Sequence, residues 1–338
     1  MADRYSRQRL LGIIGDAGQA RLRAARVLLV GCGALGTHIA QHLVRAGVGT
    51  LRICDRDYVD LDNLQRQVLY DEDDVRAQLP KAVAAERKLT RINSEVVIDA
   101  RVTDATAQTI HGLLEHIDLV LDGTDNFETR YLLNDACVEV GRPWVYGGCV
   151  ATHGMVLAVV PGETPCFACV VPEAPAPGTA ATCDTAGVLG PAVGIVAALQ
   201  ATEALKLLVG ARQALNPNLQ TIDPWRNEFR SFTIPRNLDC DVCAHRNFRH
   251  LRAAAGSQST VLCGRNSVQI SPTRGAQLDF AVVAARLATH GPVRTNEHLL
   301  RFNYGEFELT LFTDGRALIK GTAEPDRARA FYAKFIGA

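Results

Sequence analysis

The residues of this chain that could do chemistry fall into three sets. The first is Gly31-Cys-Gly33-Ala-Leu-Gly36, which follows the apolar residues 27–30 and leads into a helical pattern over 37–46. Glycines at 31 and 33 let a backbone turn tightly and approach a phosphate. Gly36 lets the helix sit close to the strand, and the helix start offers unpaired N–H groups to an anion. A second apolar strand over 51–54 ends in Asp55, about 20 residues beyond the glycines, where a partner for ribose hydroxyls belongs. Alone, this set reads as an ordinary dinucleotide fold for NAD or FAD.

The second set is acidic. Residues 119–121 read as a buried strand, followed by Asp122-Gly-Thr-Asp125-Asn126. In open α/β sheets the ligand crevice lies at the carboxyl ends of the strands, so Asp55 and Asp125 belong to one rim. Two acids there can hold a ribose and a magnesium ion. The alternative is that Asp125 caps the helix expected over 128–140.

The third set is sulfur. Cys166-Phe-Ala-Cys169 and Cys240-Asp-Val-Cys243 each present two thiolates at zinc spacing, and together they complete a closed four-sulfur site. About seventy residues separate the pairs, so the metal would pin distant segments together and stabilise by limiting the unfolded ensemble. His245 is a spare ligand candidate. Cys183 precedes a helix expected over 191–209, and a thiol near a helix start is more reactive, although a lone cysteine is more often inert. Cys32, Cys54, Cys137 and Cys149 lie in strand or helix patterns and read as core.

These sets need elements to hold them. A polar helix is expected over 16–26. Residues 58–67 are a polar stretch, and Leu79-Pro80-Lys81 opens a helix through 91 with proline in a favoured first-turn position. Lys81 then sits where the helix dipole disfavours a cation, which hints at a role. An edge strand over 95–99, a helix over 104–115 capped by Asp104, and strands over 143–148 and 154–160 complete the first half. Residues 171–182, rich in Pro, Ala and Gly, read as a mobile loop. Past a linker at 251–259 come strands within 260–270 and 299–322, turning at Asp314-Gly315, and helices over 278–289 and 326–335. The expected fold is α/β: a Rossmann-like doubly wound sheet with a zinc-pinned second half and a small α+β appendage. The domains would be 1–248, with a nucleotide site in 27–130 and the zinc site and crossover loop in 161–245, and 260–338.

Composition bounds the function. Lys plus Arg equals Asp plus Glu at 36 each, so no net field favours nucleic acid or a membrane surface. Residues 1–10 carry Asp3, Arg4, Arg7 and Arg9 without an apolar core and are not expected to be a signal peptide. The longest apolar run, 188–199, is expected to be too short to span a bilayer. Ten cysteines without a secretory signal point to thiols and metal in a reducing cytoplasm.

Taken together, Arg4-Tyr-Ser-Arg7-Gln, Gly31-x-Gly33-x-x-Gly36, Asp55-x-Asp57, Asn63-Leu-Gln-Arg66-Gln67, Pro80-Lys81, Thr124-Asp125-Asn126-Phe127, the two C-x-x-C pairs and Cys183-x-x-x-Gly187-Val-Leu resemble the ThiF/MoeB/HesA family. These are bacterial relatives of ubiquitin-activating enzymes, and the match runs from residue 4 to about 245. The resemblance implies ATP-dependent adenylation of the C-terminal glycine of a ubiquitin-like sulfur-carrier protein ending in Gly-Gly, with release of pyrophosphate. It implies thiamine, molybdopterin or related biosynthesis, and a sulfurtransferase or cysteine desulfurase as a further partner.

By position, the glycine loop with Ala34, Asp55, Asp57 and Asn126 would line the ATP site. Asn63, Arg66 and Lys81 would hold phosphates, and Asp125 magnesium. Arg7 would reach the neighbouring subunit's ATP in a homodimer, and Cys183 aligns with a cysteine that links to the activated carrier in some members. The chemistry agrees: carboxylate attack on an α-phosphate builds charge that cations and a metal must offset, and no G-x-x-x-x-G-K-[ST] loop is present to supply them. Hydride transfer needs no such cluster, which displaces the NAD reading. Two positions depart from the family. Ala34 stands where glycine is usual, with a methyl expected to be tolerated, and the second knuckle lacks the common proline and glycine. The appendage resembles the tail of longer ThiF-type proteins, and the role of Cys263 there is open.

Overall fold

The computed structural model describes residues 3–174, 183–252, 259–262, 266–271 and 278–336. Most of the 171–182 loop, most of the 251–259 linker, and Cys263 lie outside the described residues. The chain divides into two compact units, Met1–Arg252 and Ala253–Ala338.

The first unit begins with α1 (Ser6–Arg9), α2 (Gly15–Ala24), β1 (Arg26–Val30), α3 (Ala34–Ala46) and β2 (Thr50–Cys54). It continues through α4 (Glu72–Arg76), α5 (Lys81–Ile92), β3 (Val97–Arg101), α6 (Ile110–Leu114), β4 (Leu119–Asp122), α7 (Phe127–Glu139), β5 (Trp144–Val150) and β6 (His153–Val159). The last elements are α8 (Phe167–Val170), α9 (Cys183–Ala186), α10 (Gly190–Val209), β7 (Leu219–Asp223), β8 (Glu228–Phe232) and α11 (Arg249–Arg252).

The eight strands form one sheet in the order β3-β2-β1-β4-β5-β6-β7-β8. The first five are parallel and the last three antiparallel. The chain winds outward from β1 to β3 and then restarts on the other side with β4. That reversal opens a crevice at the carboxyl ends of β1 and β4, where such sheets take ligands. Residues 27–30 form an unbroken apolar run because both faces of the sheet are covered. Leu29 packs with Ile39, Leu43 and Val193 on one side, and Leu28 with Leu133, Trp144 and Phe167 on the other.

Two expectations change. Only Ile110–Leu114 of the 104–115 segment is helical, and Asp104 does not cap it but accepts from Arg56 at 2.8 Å. The 188–199 run belongs to α10, which has 20 residues and is long and apolar enough to cross a membrane by length and composition. Its environment makes it a core helix. Gln200 donates to the Asp122 carbonyl at 2.8 Å, Glu203 accepts from the Asn216 N–H at 3.1 Å, and the helix packs on α3, β5 and β6.

The second unit holds β9 (Ser259–Leu262), β10 (Ser267–Ile270), α12 (Phe280–Leu287), β11 (Val293–Thr295), β12 (Leu299–Tyr304), β13 (Phe307–Phe312), β14 (Ala317–Lys320) and α13 (Pro325–Phe335). Its six strands form an antiparallel sheet in the order β11-β12-β13-β14-β10-β9. Val268, Leu300, Phe302 and Leu309 on one face pack against Val283 and Leu287 of α12 and Phe331 of α13. Asp314 and Gly315 make the β13–β14 turn, closed by the Phe312 N–H on the Arg316 carbonyl at 2.8 Å.

Candidate nucleotide and metal sites

The glycine loop is built by close backbone approach. Gly31 has φ +85°, and a Cβ on Gly36 would stand 2.1 Å from the Gly31 carbonyl oxygen. A Cβ on Gly123, in the loop after β4, would stand 2.3 Å from the same oxygen, so three glycines stack the two loops together. Gly33 is different: the nearest atom to a Cβ there is Gln67 Nε2 at 3.7 Å. It precedes α3, whose start carries no side-chain cap, so its N–H groups remain available to an anion. Ala34 is the first residue of α3, and its methyl packs half-buried against the core, so the departure from glycine is accommodated.

Asp55 faces this loop. Its carboxylate accepts from the Cys32 N–H at 2.6 Å and the Asp57 N–H at 2.8 Å. Burial pushes its carboxyl up while the Lys81 charge pulls it down. Lys81 is the first residue of α5 and is buried, with Nζ 3.1 Å from Asp57 Oδ2. Its N–H also donates to the Asp57 carbonyl at 2.9 Å, and a Tyr58–Pro80 bridge closes the segment. Pro80 is the cap residue of α5, just outside the first-turn position expected for it. The Cys32 thiol is buried in the loop and pushed up to about 12 by that burial, so it is no nucleophile at neutral pH.

Asn63 is buried and ends a 3-10 turn, Leu61–Asn63. Its Oδ1 accepts from the Asp60 N–H at 3.1 Å and its Nδ2 donates to Asp62 at 2.7 Å. Arg66, half-buried, folds back so that Nη1 donates to the Asp62 carbonyl at 2.8 Å. Gln67 beside them is buried, with Oε1 lacking a partner among the described residues.

The β4 rim is braced from below. Asp122 is buried and accepts from the Thr124 N–H at 2.8 Å, the Thr124 hydroxyl at 2.6 Å and Arg130 Nε at 3.3 Å. Arg130 lies over the Phe127 and Tyr146 rings and donates to the Thr124 carbonyl at 2.8 Å. This clamp fixes the turn that presents Asp125, which is exposed. The capping alternative for Asp125 is overturned: Asn126 caps α7, its side chain accepting from the Thr129 N–H at 2.9 Å.

The N-terminal arginines separate. Arg9 pairs with Asp3 and Asp16, and Arg4 donates to the Ile92 carbonyl at 2.8 Å. Arg7 is exposed on α1 with no ion pair among the described residues. Cys183 begins the four-residue α9, seven positions before α10 starts, so the start of the long helix does not adjoin it.

The four knuckle sulfurs converge within 4.8 Å of one another. Cys166–Cys169, Cys166–Cys240 and Cys169–Cys243 are 3.8, 3.7 and 3.5 Å apart. Four sulfurs placed tetrahedrally about 2.3 Å from a zinc ion are separated by about 3.8 Å, so the set fits that metal. The contact between Cys166 and Cys169 splits their titration, holding the Cys169 thiol down and the Cys166 thiol up. His245 stands outside the cluster, its Nε2 2.7 Å from Asp239.

Sequence reasoning missed Gly123, Arg130 and the orphaned Gln67 amide. The signal for Gly123 was its place one residue beyond a buried strand that ends at Asp122. For Arg130 it was a cation four residues from each of two amides, Asn126 and Asn134, along one helix face.

Comparison with known proteins follows the same map. A model of the ThiF family matches residues 5–242. The chain is similar to the sulfur carrier protein ThiS adenylyltransferase of Bacillus subtilis strain 168, with 45% identity over 341 residues covering 100% of both chains. It is similar to the sulfur carrier protein adenylyltransferase of Thermus thermophilus, with 41% identity over 246 residues covering 71% of this chain and 90% of that one. Among solved structures, Escherichia coli MccB with ATP superposes with a TM-score of 0.61 at 25% identity, covering 71% of this chain and 74% of that one.

Proposed function

This chain belongs to the ThiF family, and from that premise we propose that it is the ATP-dependent adenylyltransferase of a ubiquitin-like sulfur-carrier protein. The carrier's C-terminal glycine carboxylate attacks the α-phosphorus of ATP, the bond to the β-phosphate oxygen breaks, and pyrophosphate leaves an acyl-adenylate. The observation that carries this reading is the buried Lys81–Asp57 pair hydrogen-bonded into the segment that also holds Asp55 beneath the glycine loop. A cation fixed beside a glycine loop of this kind can offset the negative charge that phosphoryl chemistry builds.

In this reading the loop Gly31–Gly36, with Ala34 and Asn126, receives the nucleotide, and Asp55 accepts the ribose hydroxyls. Asn63, Arg66 and Lys81 hold the phosphates, Arg66 by leaving the Asp62 carbonyl. Magnesium is bound through one or two carboxylates plus substrate phosphates. The exposed Asp125 on its clamped turn fits that need, and the ion would neutralise phosphate charge there. Asp57 holds Lys81 until a phosphate replaces it.

Arg7, exposed near the N-terminus, serves the ATP of a second copy in a homodimer. The knuckles hold a structural zinc, which adds no step to the reaction. Cys183 either links to the activated carrier or is dispensable. A sulfurtransferase or desulfurase supplies the sulfur, and the enzyme works in the cytoplasm. The full-length similarity to a ThiS adenylyltransferase, second unit included, favours a carrier of the ThiS type and thiamine synthesis over molybdopterin. Incubating the protein with ATP, magnesium and a ThiS-type carrier tests the reading. A carrier that gains one adenylyl group by intact mass supports it, and an unmodified carrier in the presence of bound ATP contradicts it.

A further inference from the structure

We propose that Asn134 is a positioning residue that ties the four-cysteine cluster to the nucleotide end of α7. The inference rests on the zinc reading above. Asn134 is fully buried. Its Oδ1 accepts the Phe167 N–H at 2.9 Å, and its Nδ2 lies 3.7 Å from Cys166 Sγ. A backbone N–H can only donate, so the amide orientation is fixed and the NH2 group is aimed at the sulfur. A donor on a metal-bound thiolate delocalises its charge and holds its direction, and removing such a partner commonly weakens metal binding about 10–100-fold.

The same helix grips both knuckles and the nucleotide rim. Tyr131 donates to the Val171 carbonyl at 2.7 Å and sets its ring edge-on to Phe167 at 5.1 Å. Asp135 accepts the His250 N–H at 2.9 Å, just past the second knuckle. Asn126, Arg130 and Asn134 are four residues apart and therefore follow one face of the helix. Asn126 caps it beside Asp125, Arg130 clamps the 122–124 turn, and Asn134 reaches Cys166. Metal in the cluster therefore fixes where α7 sits, and α7 fixes the turn that carries Asp125. Nucleotide affinity should depend on metal occupancy, and by linkage the dependence is reciprocal.

The test uses the full chain. Asn134→Asp keeps the acceptor for Phe167 but replaces the donor with a second carboxylate oxygen facing the thiolate. Zinc release into a chromogenic chelator should be at least about tenfold faster than in wild type, and the KM for ATP in pyrophosphate exchange should rise severalfold. Glu128→Gln, an exposed change on the same helix, should release zinc at the wild-type rate. Wild-type protein that holds zinc, together with an Asn134→Asp variant that releases it no faster, overturns the role of Asn134 alone. Wild-type protein that takes up no zinc overturns the metal assignment itself, and this role with it.

If the variant does not fold, amide hydrogen exchange on wild-type protein decides. Stripping zinc should lose protection at 122–135 and leave α3 unchanged. Unaltered protection at 122–135 overturns the coupling.

Discussion

Lys81 Nζ stands 3.1 Å from Asp57 Oδ2 at the first residue of α5, with the lysine side chain 4% exposed. A cation at a helix start is opposed by the dipole, and a buried cation needs a partner. Asp57 answers both needs. The pair keeps a desolvated positive charge beside the glycine loop, and in the proposed function a phosphate takes over from Asp57. Lys81→Ala should lower pyrophosphate exchange by about 100-fold or more, the loss typical when one preorganised charge-stabilising group is removed. The fold should survive, because Asp57 keeps 23% of its side chain in solvent. Exchange within threefold of wild type would remove Lys81 from the phosphate site.

Gly33 and Gly36 should fail differently. Alanine at 36 drives a methyl into the Gly31 carbonyl, where a Cβ would lie at 2.1 Å, so thermal unfolding should shift strongly downward. Alanine at 33 meets nothing nearer than 3.7 Å, so the melting temperature should hold while ATP affinity falls. Calorimetric melting and ATP titration of both variants separate the two effects.

Arg130→Leu leaves Asp122 buried without its cation. Breaking a buried pair in this way typically costs about 3–5 kcal/mol. Urea unfolding should show a loss of that order, and whatever folded protein remains should have lost most exchange activity, because the Thr124 carbonyl that shapes the Asp125 turn is no longer held.

Asp135 makes stability depend on pH. Burial pushes its carboxyl up to about 6, above the ordinary value of 3.8, with Arg249 and Arg252 opposing the rise and Glu139 adding to it. The folded chain therefore binds the extra proton between about pH 4 and 6. This acid's contribution is full below that window and is lost as pH rises through it, by up to roughly 3 kcal/mol. Asp135→Asn should gain on wild type in urea midpoint as pH rises from about 4 to 7. A difference that does not change with pH would place the carboxyl's titration elsewhere.

Arg7 and Asp125 should complement across subunits. Arg7→Ala and Asp125→Ala proteins should each be inactive in exchange. Mixing them after partial denaturation should restore activity if Arg7 serves the other copy's ATP, and no recovery would place Arg7 on its own chain's site.

Much of this was legible in the residues. The glycine spacing, Asp55 and the apolar run at 27–30 announce a strand, turn and helix because each rests on local backbone geometry. The C-x-x-C pairs announce one cluster of four sulfurs because two such pairs together complete a four-thiolate set. Long-range facts were harder. Gly123 is needed only because Gly31 comes from another strand to meet it. Asp104 looked like a helix cap and instead found Arg56, and for Asp125 the capping alternative fell to its neighbour Asn126. Neighbours brought in by the sheet decide those choices. The extent of α10 was legible, 191–209 against the observed Gly190–Val209; that Gln200 and Glu203 within it each find a partner was not.

Activation of a protein carboxylate with ATP leaves a signature that hydride transfer does not. Radiolabelled pyrophosphate exchange into ATP should appear only when a ThiS-type carrier ending in Gly-Gly is present, vanish with the same carrier lacking its last glycine, and vanish with Asp125→Ala. Exchange that ignores the carrier's terminus, or no exchange alongside tight binding of reduced nicotinamide, would contradict the account.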